Sequence, residues 1–226
     1  MKNIHTFLIL FIVKLTFSQT NGKINYIINF NKPKIELKKN QAKIAMRLIK
    51  EAKAISATLL FNQNESVYQI DSKMKVDSNK DFNITQAFAD DGDVFYSNVF
   101  TQKQIKKTNY GDKEYIISIE KQNWNLIQET KKIGKYLCYK AIIDIKNDLV
   151  IAWYTYEIPL NFGPNKFNGL PGLILELQTK TLHYSLNKLS LNIKEGVKIK
   201  TQNYDSAITE EEFKKIVSQN SVFNRN

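Results

Sequence analysis

Glu157 is the side chain best placed to do acid–base chemistry. It follows Trp153 and Tyr154 on a segment that otherwise reads as a buried strand, and Pro159 comes two residues later. With so few histidines, general base catalysis would fall to a carboxylate such as this one. Glutamates are rarely buried unpaired, however, so an edge-facing or salt-bridged Glu157 is the reading with priority. Asp90, Asp91 and Asp93 around Gly92 would suit a hard cation. They lack the ordered ligand spacing and terminal bidentate glutamate of a helix–loop–helix calcium site, so a turn is expected there and no metal. Cys138 is the only cysteine and His5 and His183 the only histidines. An intramolecular disulfide is excluded, and a zinc site built from Cys and His nearly so. Cys138 lies beside Tyr136 and Ile142 and reads as a small core filler, and His183 as a structural strand residue. No Gly-x-Ser-x-Gly elbow and no phosphate-binding loop occurs. The chemistry-bearing residues therefore predict no catalytic group, no metal, no cofactor and no enzyme.

Binding is the better-supported class. Trp124, Tyr136, Trp153, Tyr154 and Tyr156 crowd into one part of the chain. Aromatics with polar tips line ligand clefts and partner surfaces. They also fill large β cores, and the sequence leaves both readings open.

Positioning such residues takes a β-rich frame. The chain has 226 residues, 42% hydrophobic, with 13 Phe and 11 Tyr, enough for one sizeable core and favouring sheet over helices. Residues 1–18 read as a secretory signal. Lys2 is followed by the apolar run Phe7–Val13 and by Leu15-Thr16-Phe17, with cleavage expected near Ser18/Gln19. The run is too short to span a bilayer, and no transmembrane span is expected elsewhere. Residues 19–226 are expected to form a single domain. The formal charge of +11 falls by two when Lys2 and Lys14 leave with the signal. The lysines are spread along the chain, as solvated guards of strand edges would be. Together with export, this disfavours nucleic acid as a partner.

Ile24, Tyr26, Ile28 and Phe30 alternate with polar residues and predict a half-buried strand. Residues 41–55 change period: Ile44, Leu48, Ala52 and Ile55 share a face flanked by Ala45 and Ile49, with Lys43, Arg47, Lys50 and Lys53 mostly outside it. This is an amphipathic helix, expected to pack on a sheet; a membrane-surface helix is the less favoured alternative, because the face is Ala-rich rather than aromatic. A hairpin follows around residues 62–65, and residues 71–93 read as a long loop. Strands are expected at 94–100, 103–108 and 114–120. Leu149–Pro159 is apolar on both faces and is expected to be central and covered on both sides. Leu173, Leu175 and Leu177 alternate with Ile174, Glu176 and Gln178. Leu182, Tyr184 and Leu186 lie on the opposite parity from Leu189, Leu191 and Ile193, which calls for a β-bulge near Asn187-Lys188. Thr209 and Glu212 form a capping box for a C-terminal helix, with Ile208 and Phe213 as a hydrophobic staple across it. The sum is nine or ten strands and two helices. The expected fold is mainly β, a strongly curved antiparallel sheet or open half-barrel with one helix on its concave side and a short C-terminal helix.

The tightest backbone constraint falls on residues 163–174. Gly163, Pro164, Gly169, Pro171 and Gly172 supply three of the eight glycines and two of the four prolines of the chain. Gly169 and Gly172 are expected to take positive φ, and the prolines hold φ near −65°. Apart from Lys166 the stretch carries no acid–base group, so a shaped corner is the reading. The unbroken string Gly169-Leu170-Pro171-Gly172-Leu173-Ile174 resembles the GLPGLI family, secreted proteins of Bacteroidetes-type bacteria. Gly163-Pro164, Trp124, Glu129-Thr130-Lys131, Ile133-Gly134, Tyr136, Cys138-Tyr139-Lys140-Ala141 and Ala152-Trp153-Tyr154 are also similar to the family pattern. The resemblance implies export to the periplasm or envelope surface and supplies no activity. An exported, non-enzymatic binding module for a hydrophobic ligand or an envelope protein is the resulting expectation. A hydrolase using Glu157 or the aspartates at 90–93, and a pure interaction module of an outer-membrane assembly, are its rivals.

Overall fold

The computed structural model describes residues 21–31, 39–71, 82–200 and 202–223. The signal segment lies outside the described residues. Among the described residues eleven strands form one antiparallel sheet in the order β6-β5-β4-β3-β2-β1-β11-β10-β9-β8-β7. They are β1 (Gly22–Phe30), β2 (Ile55–Phe61), β3 (Glu65–Ile70), β4 (Val94–Asn98), β5 (Lys103–Tyr110), β6 (Lys113–Ser118), β7 (Asn125–Ile133), β8 (Tyr136–Ile145), β9 (Asp148–Thr155), β10 (Leu173–Gln178) and β11 (Leu182–Leu191). The fold is mainly β and the sheet is not closed, as the alternation predicts.

Chain length dictates how far the sheet curls. β6 and β7 are consecutive in sequence yet stand at opposite edges. The connection from Ser118 to Asn125 can reach at most about 25 Å. Eleven flat strands would hold their outer members about 48 Å apart. The sheet must therefore bend until its two edges face each other across a short connector.

The inner face carries the core. Ile24, Tyr26 and Ile28 alternate with partly exposed neighbours, and Leu59, Phe61, Tyr68, Tyr154, Leu177 and Tyr184 join them from other strands. Burying each large apolar side chain contributes about 1.5–3 kcal/mol. Two bulges set which side chains reach this face. In β11, Asn187 is the extra residue between the pairs Asn25↔Lys188 and Tyr26↔Leu186, where the sequence calls for a bulge. In β10, Leu175 is extra between Ile174↔Tyr154 and Glu176↔Trp153. Ile174 and Leu177 consequently stand with the inward Tyr154 and Ala152, which strict alternation of Leu173, Leu175 and Leu177 does not predict.

The two free edges differ. The β6 edge is partly taken up by a parallel bridge between Ile117 and Ile208, and Phe213 of helix α3 (Glu210–Phe223) packs on Tyr110 and Tyr115. The predicted capping box holds α3, with Thr209 N–H donating to Glu212 at 2.8 Å and Glu212 N–H to Thr209 Oγ1 at 3.1 Å. The β7 edge carries Lys131, Lys132 and an irregularity between Ile127 and Thr130. Charges and bulges of this kind blunt an edge against pairing.

Three expectations are corrected. The first helix, α1, runs Lys39–Lys50, and Ile55 is a buried residue of β2. The helix against the inner face is the short α2 (Ile84–Phe88), whose Phe88 meets Phe30 edge-on at 5.5 Å; it lies within the stretch expected to be loop. The strand of residues 149–159 ends at Thr155, and only its inner side is covered, because Trp153 and Ile151 are half-buried and Leu149 is exposed.

Candidate functional site

The segment between β9 and β10 turns into the curled sheet and fills it. Ile158, Leu160, Phe162, Phe167 and Leu170 are all buried in the main core. Its backbone bonds with itself and with the start of β10: Gly169 N–H donates to Asn161 O at 2.9 Å, Leu173 N–H to Ile158 O at 3.0 Å and Ile174 N–H to Phe162 O at 3.0 Å. A buried loop is tolerable because these amides are satisfied. The glycines act in two ways. Gly169 has φ +85° in open space. Gly172 does not take positive φ; its constraint is close approach, since a Cβ there would lie 2.1 Å from Thr155 O.

Polar groups from distant parts of the chain hold this corner. Gln122, on the connector between β6 and β7, donates to Lys166 O at 2.6 Å and accepts from Asn168 N–H at 3.0 Å. Trp124 donates its indole N–H to Asn168 O at 2.8 Å and packs on Phe167. Asn168 donates to Ser97 on β4, and Asn165, at φ +56°, donates to Asp90 at 2.9 Å. Tyr26 on β1 donates to Ile174 O at 2.5 Å. The corner is thus bonded to the connector between the facing edges and to strands β1 and β4. Gln122, Asn165, Asn168 and Asp90 carry no periodic signal, and sequence reading passes over them as anchors.

The five aromatic candidates are not gathered into one site. Trp124 clamps the corner. Tyr154 is buried and its hydroxyl is 2.9 Å from that of Tyr156. Tyr156 is 47% exposed and packs edge-on against Tyr139, with ring centres 4.8 Å apart. Trp153 and Tyr136 lie outside the Tyr154 side of the sheet. Lys131 Nζ sits 4.4 Å above the Trp153 ring and Lys140 Nζ 6.0 Å from it. Leu137 and Leu126 are exposed near Tyr139 and Tyr156, since Leu126 pairs with Ala141 two residues from Tyr139. Leu126, Leu137, Tyr139 and Tyr156 form an apolar strip at the β7–β8 end of the inner face.

The titratable groups are tied into structure. Glu157 accepts from Leu137 N–H at 2.9 Å. Asp91 bonds Gln86, and Asp93 pairs with Lys106 at 3.1 Å. Burial pushes the Cys138 thiol up to about 11, which disfavours the reactive thiolate. Burial likewise raises the phenols of Tyr26, Tyr68, Tyr154 and Tyr184, so they stay neutral near pH 7. On the outer face Glu176 takes Lys131 at 2.7 Å and His183 at 3.2 Å. Burial alone would raise its carboxyl; the bonds from His183 and Lys131 outweigh that and hold it below the usual range. Among the described residues no three His, Cys, Asp or Glu side chains are grouped to hold a metal ion, and no helix is long and apolar enough to cross a membrane.

Comparison with solved structures supports the fold. A structure titled "Structure of PNGF-II in P21 space group" superposes with a TM-score of 0.55 at 15% identity, covering 88% of this chain and 33% of that one. A second, in a C2 space group, gives 0.50 at 15% identity, covering 85% and 30%. The chain thus spans about a third of the length of PNGF-II, and at this identity the likeness is one of fold alone. No curated protein matches the sequence. Residues 144–176, from the end of β8 through the buried corner to Glu176, match the model of a family described as a protein of unknown function (Porph_ging).

Proposed function

We propose that this is an exported, non-enzymatic binding module that takes a protein partner on the strip of Leu126, Leu137, Tyr139 and Tyr156. The observation that carries the reading is Tyr156. Nearly half of its surface is exposed, while its ring rests on Tyr139 and Tyr154 and its hydroxyl bonds the buried Tyr154. A rigid aromatic offered to solvent loses little entropy when a partner covers it, and tyrosines of this kind dominate interface energies. A hydrophobic ligand inside the sheet is less favoured, because the chain's own segment of residues 156–172 takes up the inner face. Glu157 and the aspartates near Gly92 already serve structural bonds, which argues against the hydrolase reading. Export rests on the N-terminal segment.

The test places a photoreactive side chain at Tyr156 in the producing cells, with a control at the exposed Lys188. A discrete protein adduct at Tyr156 and none at Lys188 is expected. Tyr156→Ala combined with Leu137→Ser should leave the melting temperature within a few degrees and abolish partner binding. Saturable uptake of a fatty-acid probe by delipidated protein would shift the reading to a lipid ligand.

A further inference from the structure

α1 is the element that the core does not use. Ile44 is 61% exposed and Met46 68%. At about 100° per residue, Ile44, Leu48, Ala45, Ile49 and Met46 sweep an apolar arc of about 200°. Lys43, Arg47 and Lys50 occupy the remainder, all exposed. A helix seated in a protein groove typically needs a narrower stripe, on the order of 100°. No acid occurs between Leu37 and Lys50, and among the described residues no carboxylate pairs with Lys43, Arg47 or Lys50. The root of the helix is fixed. Asn83 accepts from Lys53 N–H at 3.1 Å and donates to Lys53 O at 3.0 Å, while also capping α2 through Thr85 N–H. Only four residues lie between the end of α1 and β2.

We infer that α1 is a membrane-surface helix that docks the domain on an anionic bilayer. Its apolar arc enters the headgroup boundary, and Lys43, Arg47 and Lys50 reach lipid phosphates from its margins, their stems lying along apolar surface. Charge complementarity selects the occupant. A neutral bilayer would leave three cations unanswered, whereas an anionic one gains about five-fold in affinity per cation. The proposal does not depend on the partner strip, which lies on β7, β8 and the turn after β9.

Co-sedimentation of the full chain with phosphatidylcholine vesicles, with and without a quarter phosphatidylglycerol, tests this. Binding to the anionic vesicles should be at least ~10-fold stronger and should weaken in high salt. Lys43→Gln, Arg47→Gln and Lys50→Gln together should reduce it ~100-fold, and Ile44→Glu with Met46→Glu should abolish it at an unchanged melting temperature. A Met46→Trp probe on otherwise unchanged protein should be quenched by brominated anionic lipid. Equal binding to both vesicle types, no quenching, or a large drop in melting temperature for the Ile44/Met46 variant would overturn the proposal; the last would mean that α1 packs on the protein itself.

Discussion

The β9–β10 pair has two faces built on different physics. On the inner face, Tyr154 and Ile174 sit in a core with essentially no exposure, and Gly172 lets the β10 backbone approach Thr155. On the outer face, Trp153 lies under Lys131 and Lys140, and Glu176 joins Lys131 and His183. The inner face depends on shape, where one carbon atom too many has nowhere to go. The outer face depends on charge, which water and salt weaken and small displacements do not. Packing should therefore answer to mutation abruptly, and the charged ladder gradually.

The largest expected effect tests the inner side. Gly172→Val should cost more than about 4 kcal/mol, or abolish folding, because its Cβ meets backbone. Gly169→Ala, three residues away, meets only a φ penalty and should cost about 1 kcal/mol. Urea unfolding separates the two, and equal effects would remove the distinction between close approach and backbone conformation. Next comes Tyr26→Phe. It leaves the carbonyl of Ile174 buried without its donor and should cost about 1–3 kcal/mol with little change in volume.

The smallest effect belongs to the outer face. Lys131→Met and Glu176→Gln should each cost about 1 kcal/mol or less and show coupling in a double-mutant cycle. Because folding lowers the Glu176 pKa, its contribution is present above the ordinary carboxylate range and is lost as pH falls through the lowered folded value. The stability gap between wild type and Glu176→Gln should therefore be present above the ordinary carboxylate range and close as acidification protonates the folded carboxyl. A gap that widened on acidification would reverse the assigned sign.

Much of the frame was legible because strand periodicity is local. Ile24 to Phe30 alternate along one strand, Thr209 and Glu212 cap a helix three residues apart, and the parity change across Asn187 announces a bulge. The inner placement of α2 was not legible, since five residues carry no helical period. The bulge at Leu175 was hidden for a different reason: an apolar residue on every position of Leu173–Leu175 conceals a change of face. The corner itself was visible as a constrained backbone, but not its anchors. Gln122 and Trp124 reach Asn168 across more than forty positions, and Asp90 reaches Asn165 across 75. The strip of Leu126, Leu137, Tyr139 and Tyr156 is assembled from two strands and the turn after a third, and so has no sequence pattern of its own.

The amino-acid sequence by itself determined the antiparallel strands, the glycine–proline corner and a helix with separate apolar and basic faces, because each is written in spacings of a few residues. Only the tertiary structure decided what covers what. The apolar segment of residues 156–172 folds inward and takes the inner face, α1 keeps Ile44 and Met46 in the open, and Trp153 comes to lie beneath lysines. Burial depends on which surfaces compete for the same space, and a connector too short for a flat sheet settled that competition by bending the strands around the corner.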